Sequence, residues 1–235
     1  MRGRNSLLIV GVLAVAGAGA AYALFFTPET PEELAITDPP RSARQGQPAG
    51  APLADPIGRW EVLSGSEAGY RMREKLARLP ASSDAVGRTD AVTGGLTVEA
   101  EDQDYAVTDI RIEVDVSQLE SDSPRRDNAI RTRGLESDRY PTATFVGSGP
   151  IVLPASAAQG ETVRMPLEGM LTIHGVTKQV SIPIEARLNG DRAEVAGSFT
   201  FPMSEFEMRP PNIAGIVTVE PTATMEFRLL LAKAA

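Results

Sequence analysis

The stretch GMLTIHGVTKQVSIPIEA, residues 169–186, decides the fold of this chain. Apolar and polar side chains alternate on both sides of a central His-Gly pair, and this period of two is that of a β-strand with one buried and one solvated face. The glycine tolerates the positive φ angle that a tight hairpin turn requires. We therefore predict a strand that ends at Ile173, a turn at residues 174–175, and a returning strand that begins at Val176 or Thr177.

The same alternation recurs before and after this hairpin. Three segments, AVTDIRIEVDVSQL, KQVSIPIEARL and TATMEFRLLLA, define an inward apolar face most clearly. The residues predicted to point inward are Ala106, Ile110, Ile112, Val114, Val116, Val180, Ile182, Ile184, Ala186, Leu188, Met225, Phe227, Leu229 and Leu231. Shorter segments between turn residues bring the total to roughly eight strands, which predicts an all-β antiparallel barrel or sandwich.

One helix interrupts the strands. The segment DSPRRDNAIRTRG offers Ser123 as the N-cap, Pro124 at the first helical position and Gly134 as the stop. The chain then returns to a strand at YPTATF. We expect this short helix to lie across one mouth of the barrel.

The N-terminus has the pattern of a membrane anchor. Arg2 and Arg4 precede an uncharged run over residues 5–26, which is long enough to cross a hydrocarbon core about 30 Å thick. The next charges are acidic, so the positive-inside rule places the rest of the chain outside the cytoplasm. A cleaved signal peptide ending near AYA, residues 21–23, is the alternative and would make the protein secreted.

The predicted chain therefore has three parts. Residues 1–26 form a transmembrane anchor or signal segment. Residues 27–56 are rich in Pro, Ala and Gly and poor in large apolar groups, so we predict a flexible tether. Residues 57–235 form the β-barrel domain.

Composition excludes many chemistries. The 235 residues include no cysteine and one histidine, and the net charge is −8. Disulfides, thiol catalysis, cysteine-ligated metals and multi-histidine metal sites are therefore excluded, and the acidic balance argues against nucleic acid as a partner. The GSG at 147–149 lacks the spacing of a nucleophile elbow, and no carboxylate pair has glycosidase spacing. We find no catalytic constellation and expect neither enzyme activity nor a cofactor.

Several motifs, in order, resemble the YceI-like family of secreted, lipocalin-like, isoprenoid-binding proteins. GMLTIHGVTKQVSIPI is similar to the family's hairpin, and GRWEV to its N-terminal strand. VDVSQLESDSPRRDNAIRTRGLESDRYPTATFVGSG is similar to its strand–helix–strand block, and GSFTFPMSEFEM to its penultimate strand. The resemblance covers roughly residues 57–232.

This resemblance implies an extended, eight-stranded, lipocalin-like barrel around an elongated apolar cavity that holds a polyprenyl chain. An eight-stranded barrel has room for side chains or for one small ligand. The function it implies is sequestration of an amphiphilic lipid, a polyisoprenoid or an isoprenoid quinone, outside the cytoplasm. A barrel with a packed interior that serves as a cell-surface interaction module remains an alternative. So does an enzyme on a small apolar substrate that uses His174 or an Asp127–Arg131 pair.

Candidate ligand-binding residues come from the inward faces, the helix and the hairpin. Asp127 and Arg131 are four residues apart and can pair along a helix, while Arg126 would meet a quinone carbonyl or a lipid phosphate. His174 is expected either to bond a nearby backbone group at the hairpin corner or to contact ligand. The full set of candidates is Arg126, Asp127, Arg131, Tyr140, Phe145, Met170, His174, Ile112, Val114, Ile182, Ile184 and Phe227. Plain packing is the alternative for Tyr140, Phe145 and the methionines Met170 and Met203, and the sequence leaves the oligomeric state open.

Overall fold

The computed structural model of the protein describes residues 30–37, 55–76, 82–211 and 217–234. The predicted anchor at residues 1–26 lies outside this part of the chain. Within the described residues, no helix combines the length and the hydropathy needed to cross a membrane.

Antiparallel strands make up most of the described chain. Their bounds are β1 Gly58–Val62, β2 Glu67–Leu76, β3 Ser82–Thr89, β4 Val92–Glu101, β5 Asp104–Asp115, β6 Glu120–Ser121, β7 Thr142–Gly147, β8 Ile151–Leu153, β9 Val163–Ile173, β10 Val176–Asn189, β11 Arg192–Pro202, β12 Val217–Val219 and β13 Thr222–Lys233. The helix α1 spans Pro124–Ala129 and continues into a π-helical turn at Ile130–Gly134. Short 3₁₀ turns lie at Val116–Gln118, Ala155–Gln159 and Met203–Phe206.

The strands close into an eight-stranded barrel, as predicted. The ring runs β1, β4, β5, β7, β9, β10, β11, β13, and β13 pairs with β1 to complete it. Closure leaves no free strand edge along the ring, so the backbone polar groups of these strands find partners within the sheet. Beyond short bends, β2 and β3 continue β1 and β4, and β2 also pairs with β13 and β12. One wall of the barrel is therefore taller than the ring itself.

The hairpin between β9 and β10 has the predicted geometry. β9 ends at Ile173, β10 begins at Val176, and the two turn residues, His174 and Gly175, have φ angles of 55° and 73°. Two consecutive positive φ angles match the right-handed twist of the flanking strands. Eleven residue pairs then follow in unbroken register, from Val176 opposite Ile173 to Ala186 opposite Val163.

The inward face of β5 differs from the prediction. Asp109 has a φ angle of 52°, and the register with β4 is irregular nearby. Such a bulge adds a residue to one strand and reverses the alternation beyond it. The inner face therefore carries Val107 before the bulge and Ile110 after it. The prediction that Ala106 shares a face with Ile110 is wrong, because strict alternation does not hold across the bulge.

The helical segment begins after Ser123 and ends at Gly134, as the sequence predicts, but its second half is not an α-helix. Pro124 is its first residue after Ser123, but the regular α-helix stops at Ala129 and widens into the π turn that ends at Gly134. Asp127 and Arg131 form no ion pair with each other among the described residues. Asp127 instead accepts hydrogen bonds from the backbone N–H and the hydroxyl of Ser121.

Part of the predicted tether contacts the outer wall of the barrel. The backbone N–H and the hydroxyl of Thr37 both donate to Glu194 on β11, each at 2.9 Å. Arg88 on β3 donates to the carbonyl of Glu32. Next to this contact, the carboxylate of Glu226 is only 1% exposed and pairs with Arg88 at 3.0 Å. The segment at residues 32–37 therefore lies across a charged row on β3, β13 and β11.

Candidate functional site

The barrel encloses an apolar cavity of about 250 Å³. Its side wall is formed by β2, β4, β5, β7, β8, β9, β10, β11 and β13. Apolar residues after β5, around α1 and around the last 3₁₀ turn close one end. These are Val116, Leu119, Ile130, Leu135, Met203 and Met208. An apolar protein cavity of roughly 150 Å³ stays dry and binds benzene, so this interior has the size and the polarity of a ligand site.

A second cavity of about 100 Å³ lies at the opposite end of the barrel. It sits beneath the 3₁₀ turn Ala155–Gln159 and is lined by Trp60 and Tyr105. The Trp60 indole N–H donates to the carbonyl of Pro56 at 2.8 Å, so its polar atom is satisfied. Both cavities share the same set of wall residues between them: Leu96, Val107, Leu153, Ala186, Val195 and Leu231. The two voids are therefore neighbours and give the interior an elongated shape.

Glycines on neighbouring strands leave room for aromatic rings along the wall. A Cβ on Gly197 would lie 2.8 Å from Phe227, and one on Gly87 would lie 2.7 Å from Cζ of Tyr70. Ordinary carbon contacts are about 3.5–4.0 Å, so any larger residue would push these rings away from the wall. The glycines thereby keep the lumen open although the ring side chains point inward.

Five flexible methionines contribute to the lining of the larger cavity. Five of the seven methionines in the chain line the larger cavity: Met72, Met165, Met203, Met208 and Met225. Thioether side chains with three rotatable bonds adapt to irregular shapes. The wall can therefore change shape around a ligand without breaking strand pairing.

A polar cluster lies at the end of the barrel where α1 sits. Arg126 of α1 pairs with the buried carboxylate of Glu74 on β2 at 2.6 Å and also contacts Asp122. Its other terminal nitrogen donates to the hydroxyl of Ser121 at 3.3 Å, and that hydroxyl donates to Asp127 at 2.6 Å. These contacts fasten α1 to β2 and β6, so the helix position depends on this cluster.

Tyr70 joins the polar cluster to the cavity. Its side chain lines the cavity, and its hydroxyl is buried without a hydrogen-bond partner of normal geometry among the described residues. Burial is the main cause that raises the pKa of Tyr70, and the neighbouring Arg126 lowers it only in part. The phenol therefore stays protonated and keeps a hydrogen to donate.

His174 has a structural position at the hairpin corner. One ring nitrogen contacts the carbonyl of Phe206 at 3.1 Å and the other contacts Glu136 at 3.2 Å. Tyr140 packs edge-on against the imidazole with ring centres 4.7 Å apart. The ring thereby ties the hairpin to the segment after α1 and to the last 3₁₀ turn.

The structure places the predicted candidates in different surroundings. The candidates that line the cavity are Ile112, Val114, Phe145, Ile182, Ile184 and Phe227. Arg126 and Asp127 belong to the polar cluster, while Arg131 lies in the π turn and forms no ion pair with Asp127 in the described part of the chain. Tyr140 and His174 hold the corner, and Met170 differs from the prediction.

Met170 lies on the outer wall. Its side chain is 41% exposed, whereas its neighbours Gly169 and Leu171 are buried. Inward and outward positions alternate along β9, so an inward Gly169 requires an outward Met170. Met170 therefore does not line the cavity. Met203 does: it lies at the α1 end of the cavity and is only 2% exposed.

Sequence reasoning missed Tyr70 and Glu74. Both belong to β2, where Ala68, Tyr70, Met72 and Glu74 share the inward face. The alternation of EAGYRMREKL could have indicated that Tyr70 and Glu74 point inward. This pattern was weak because a glutamate, which is usually exposed, occupies one of the inward positions. The ion pair with Arg126 accounts for that buried glutamate.

Comparisons with known proteins agree with this architecture. The family model of the YceI-like domain matches residues 64–231. A UPF0312 protein of Vibrio campbellii is 27% identical over 141 residues, which are 57% of this chain and 70% of the relative.

Two solved structures share the fold. A polyisoprenoid-binding domain from Saccharophagus degradans, implicated in plant cell wall breakdown, has a TM-score of 0.58 at 17% identity and covers 76% of this chain and 99% of that one. BcnA of Burkholderia cenocepacia has a TM-score of 0.51 at 19% identity, over 72% and 98% of the two chains. With the closed barrel and the family match over most of its length, the chain belongs to the YceI-like domain family.

Proposed function

We propose that this barrel binds an amphiphile with an isoprenoid tail, a polyisoprenoid lipid or an isoprenoid quinone, and keeps the tail out of water. The observation that carries the proposal is the apolar cavity of about 250 Å³ with a second cavity of about 100 Å³ beside it. The binding of a polyisoprenoid by the structural relative from Saccharophagus degradans supports the same ligand class.

The energy of binding comes from burying the tail. Each methylene moved from water into an apolar site contributes about 0.8 kcal/mol, so the carbons of one isoprene unit contribute about 4 kcal/mol. Burial of a few isoprene units therefore offsets the free-energy cost of immobilising the ligand. Because the five lining methionines adapt their shape, a tail longer than the empty volume can displace them toward the wall.

Binding explains the site better than catalysis does. Both nitrogens of the single histidine contact protein oxygens, and Arg126 and Asp127 have protein partners. A barrel packed solid, as an interaction module would have, does not fit an interior of this volume. We propose that the ligand is held outside the cytoplasm, on the evidence of the charges around residues 5–26.

Lipid extraction tests the proposal. The full chain, purified from membranes, is extracted with organic solvent, and the extract is analysed by mass spectrometry. The matched variants are Ala186→Phe, which places a ring between the two cavities, and Met170→Phe, which adds the same ring to the outer wall. We expect a prenyl compound from the wild type and from Met170→Phe, and little from Ala186→Phe. Recovery of no prenyl compound from the wild type, with no uptake of an added one, would overturn the proposal.

A further inference from the structure

Among the described residues, two buried donors near the α1 end of the cavity have no hydrogen-bond partner of normal geometry. They are the Tyr70 hydroxyl, which lines the cavity, and the Nε–H of Arg126, which belongs to the neighbouring polar cluster. A buried polar group in a native protein nearly always has a partner, and a group without one points to a missing water, ion or ligand. Both donors need an oxygen that accepts hydrogen bonds.

The nearby serine does not give the Tyr70 hydroxyl a hydrogen bond of normal geometry. The Ser121 hydroxyl is close enough to lower the pKa of Tyr70 by hydrogen bonding, but it already donates to Asp127 at 2.6 Å. It also accepts from the backbone N–H of Ser123 at 3.2 Å and from Arg126 at 3.3 Å. A serine hydroxyl has one donor and two acceptor positions, so its capacity is filled. The Tyr70 hydroxyl is left for a ligand.

The charges around this hydroxyl select against an anion. Three charged groups act on Tyr70: the guanidinium of Arg126 and the carboxylates of Asp127 and Glu74. Arg126 is also paired with Glu74 and Asp122, so its positive charge is already compensated. A phosphate placed here would meet more negative than positive charge in a site poorly screened by water.

We propose, building on the proposed function, that the α1 end of the cavity receives an uncharged oxygen headgroup. The Tyr70 hydroxyl donates a hydrogen bond to its oxygen. The chemistry is that of a quinone carbonyl or a prenyl alcohol, and a prenyl diphosphate is disfavoured. The tail then extends from Tyr70 toward Trp60 and the second cavity, which fixes the direction of the ligand in the barrel.

The test compares headgroups on one tail. A prenyl benzoquinone, a prenyl diphosphate and an isoprenoid hydrocarbon, with tails of equal length, are titrated into the delipidated full chain. We expect the diphosphate to bind more than about tenfold more weakly than the quinone, since like charges in a buried site cost several kcal/mol. The hydrocarbon reports on tail binding alone.

Two matched variants locate the headgroup. Tyr70→Phe keeps the ring over Gly87 and removes only the hydroxyl, and Tyr105→Phe makes the same change at the opposite end. We expect Tyr70→Phe to weaken quinone binding about three- to tenfold, to leave hydrocarbon binding unchanged, and to shift the infrared carbonyl band of the bound quinone. Tyr105→Phe should behave as wild type.

Three results would overturn the assignment. The first is a diphosphate that binds as tightly as the quinone. The second is quinone affinity that is unchanged in Tyr70→Phe, and the third is a loss of quinone affinity in Tyr105→Phe alone. Failure of all three compounds, including the hydrocarbon, would instead overturn the proposed function on which the assignment rests.

Discussion

The substitution Gly87→Ala probes how the wall keeps the lumen open. Gly87 on β3 lies opposite Tyr70 on β2. A Cβ at this position would be 2.7 Å from Cζ and 2.9 Å from the hydroxyl oxygen of Tyr70, and its nearest contacts are all with this one ring. Since ordinary contacts are about 3.5–4.0 Å, the ring must move by about 1 Å. Its free side is the cavity, so it moves into the space that a ligand would fill.

We expect two effects of this movement. Overpacking lowers the free energy of unfolding by about 1–3 kcal/mol, and tail binding weakens because the lumen becomes narrower. Urea unfolding measures the first effect, and titration with an isoprenoid hydrocarbon measures the second. In the background Tyr70→Leu, where the ring is absent, Gly87→Ala should cost much less, so a double-mutant cycle isolates the contact. An equal cost in both backgrounds would refute the reasoning.

Three further predictions concern polar residues of the barrel. His174→Asn keeps a residue that tolerates positive φ but removes the ring contacts with Phe206 and Glu136. It should lower stability by about 1–2 kcal/mol with unchanged tail affinity, and a large loss of affinity in a folded variant would contradict this. Glu226→Gln removes a carboxylate that is 1% exposed between Arg71 and Arg88. This variant should lower the free energy of unfolding by about 2–3 kcal/mol, measured by thermal unfolding. An unchanged melting temperature would show that these ion pairs do not stabilise the barrel. Hydrogen bonds from Ser117 and Gln118 lower the pKa of Asp115. Its stabilisation is therefore present above the ordinary carboxyl pKa and is lost as the pH falls through the lowered native value. The stability deficit of Asp115→Asn should thus shrink in acid, and a deficit that stays constant would refute the linkage.

The sequence predicted the regular part of the barrel well. Strict alternation holds through β10 and β13, where Ile182, Ile184 and Phe227 were expected to point inward and do line the cavity. The His-Gly turn followed from the need for positive φ, which glycine meets most easily. In these places local pattern and tertiary structure require the same residues.

Prediction failed where the backbone departs from regular geometry. The bulge at Asp109 shifts the alternation of β5, and no residue pattern in that strand predicts the bulge. Asp127 accepts hydrogen bonds from Ser121 and forms no ion pair with Arg131 among the described residues, although the helix start was correctly expected. The polar cluster joins Glu74 to Arg126 across 52 positions of sequence, a contact that only the closed barrel creates. Met170 is a different case, because the alternation around Gly169 already placed it outside.

The most direct test of a hollow barrel is a titration followed by the emission of Trp60. This single tryptophan lines the second cavity, so its surroundings change when a tail fills the interior. For the delipidated full chain with an isoprenoid hydrocarbon, we predict a saturable change at a stoichiometry of about one molecule per barrel, lost in Ala186→Phe and retained in Met170→Phe. A flat titration of the wild type, or an identical response in Ala186→Phe, would contradict the account.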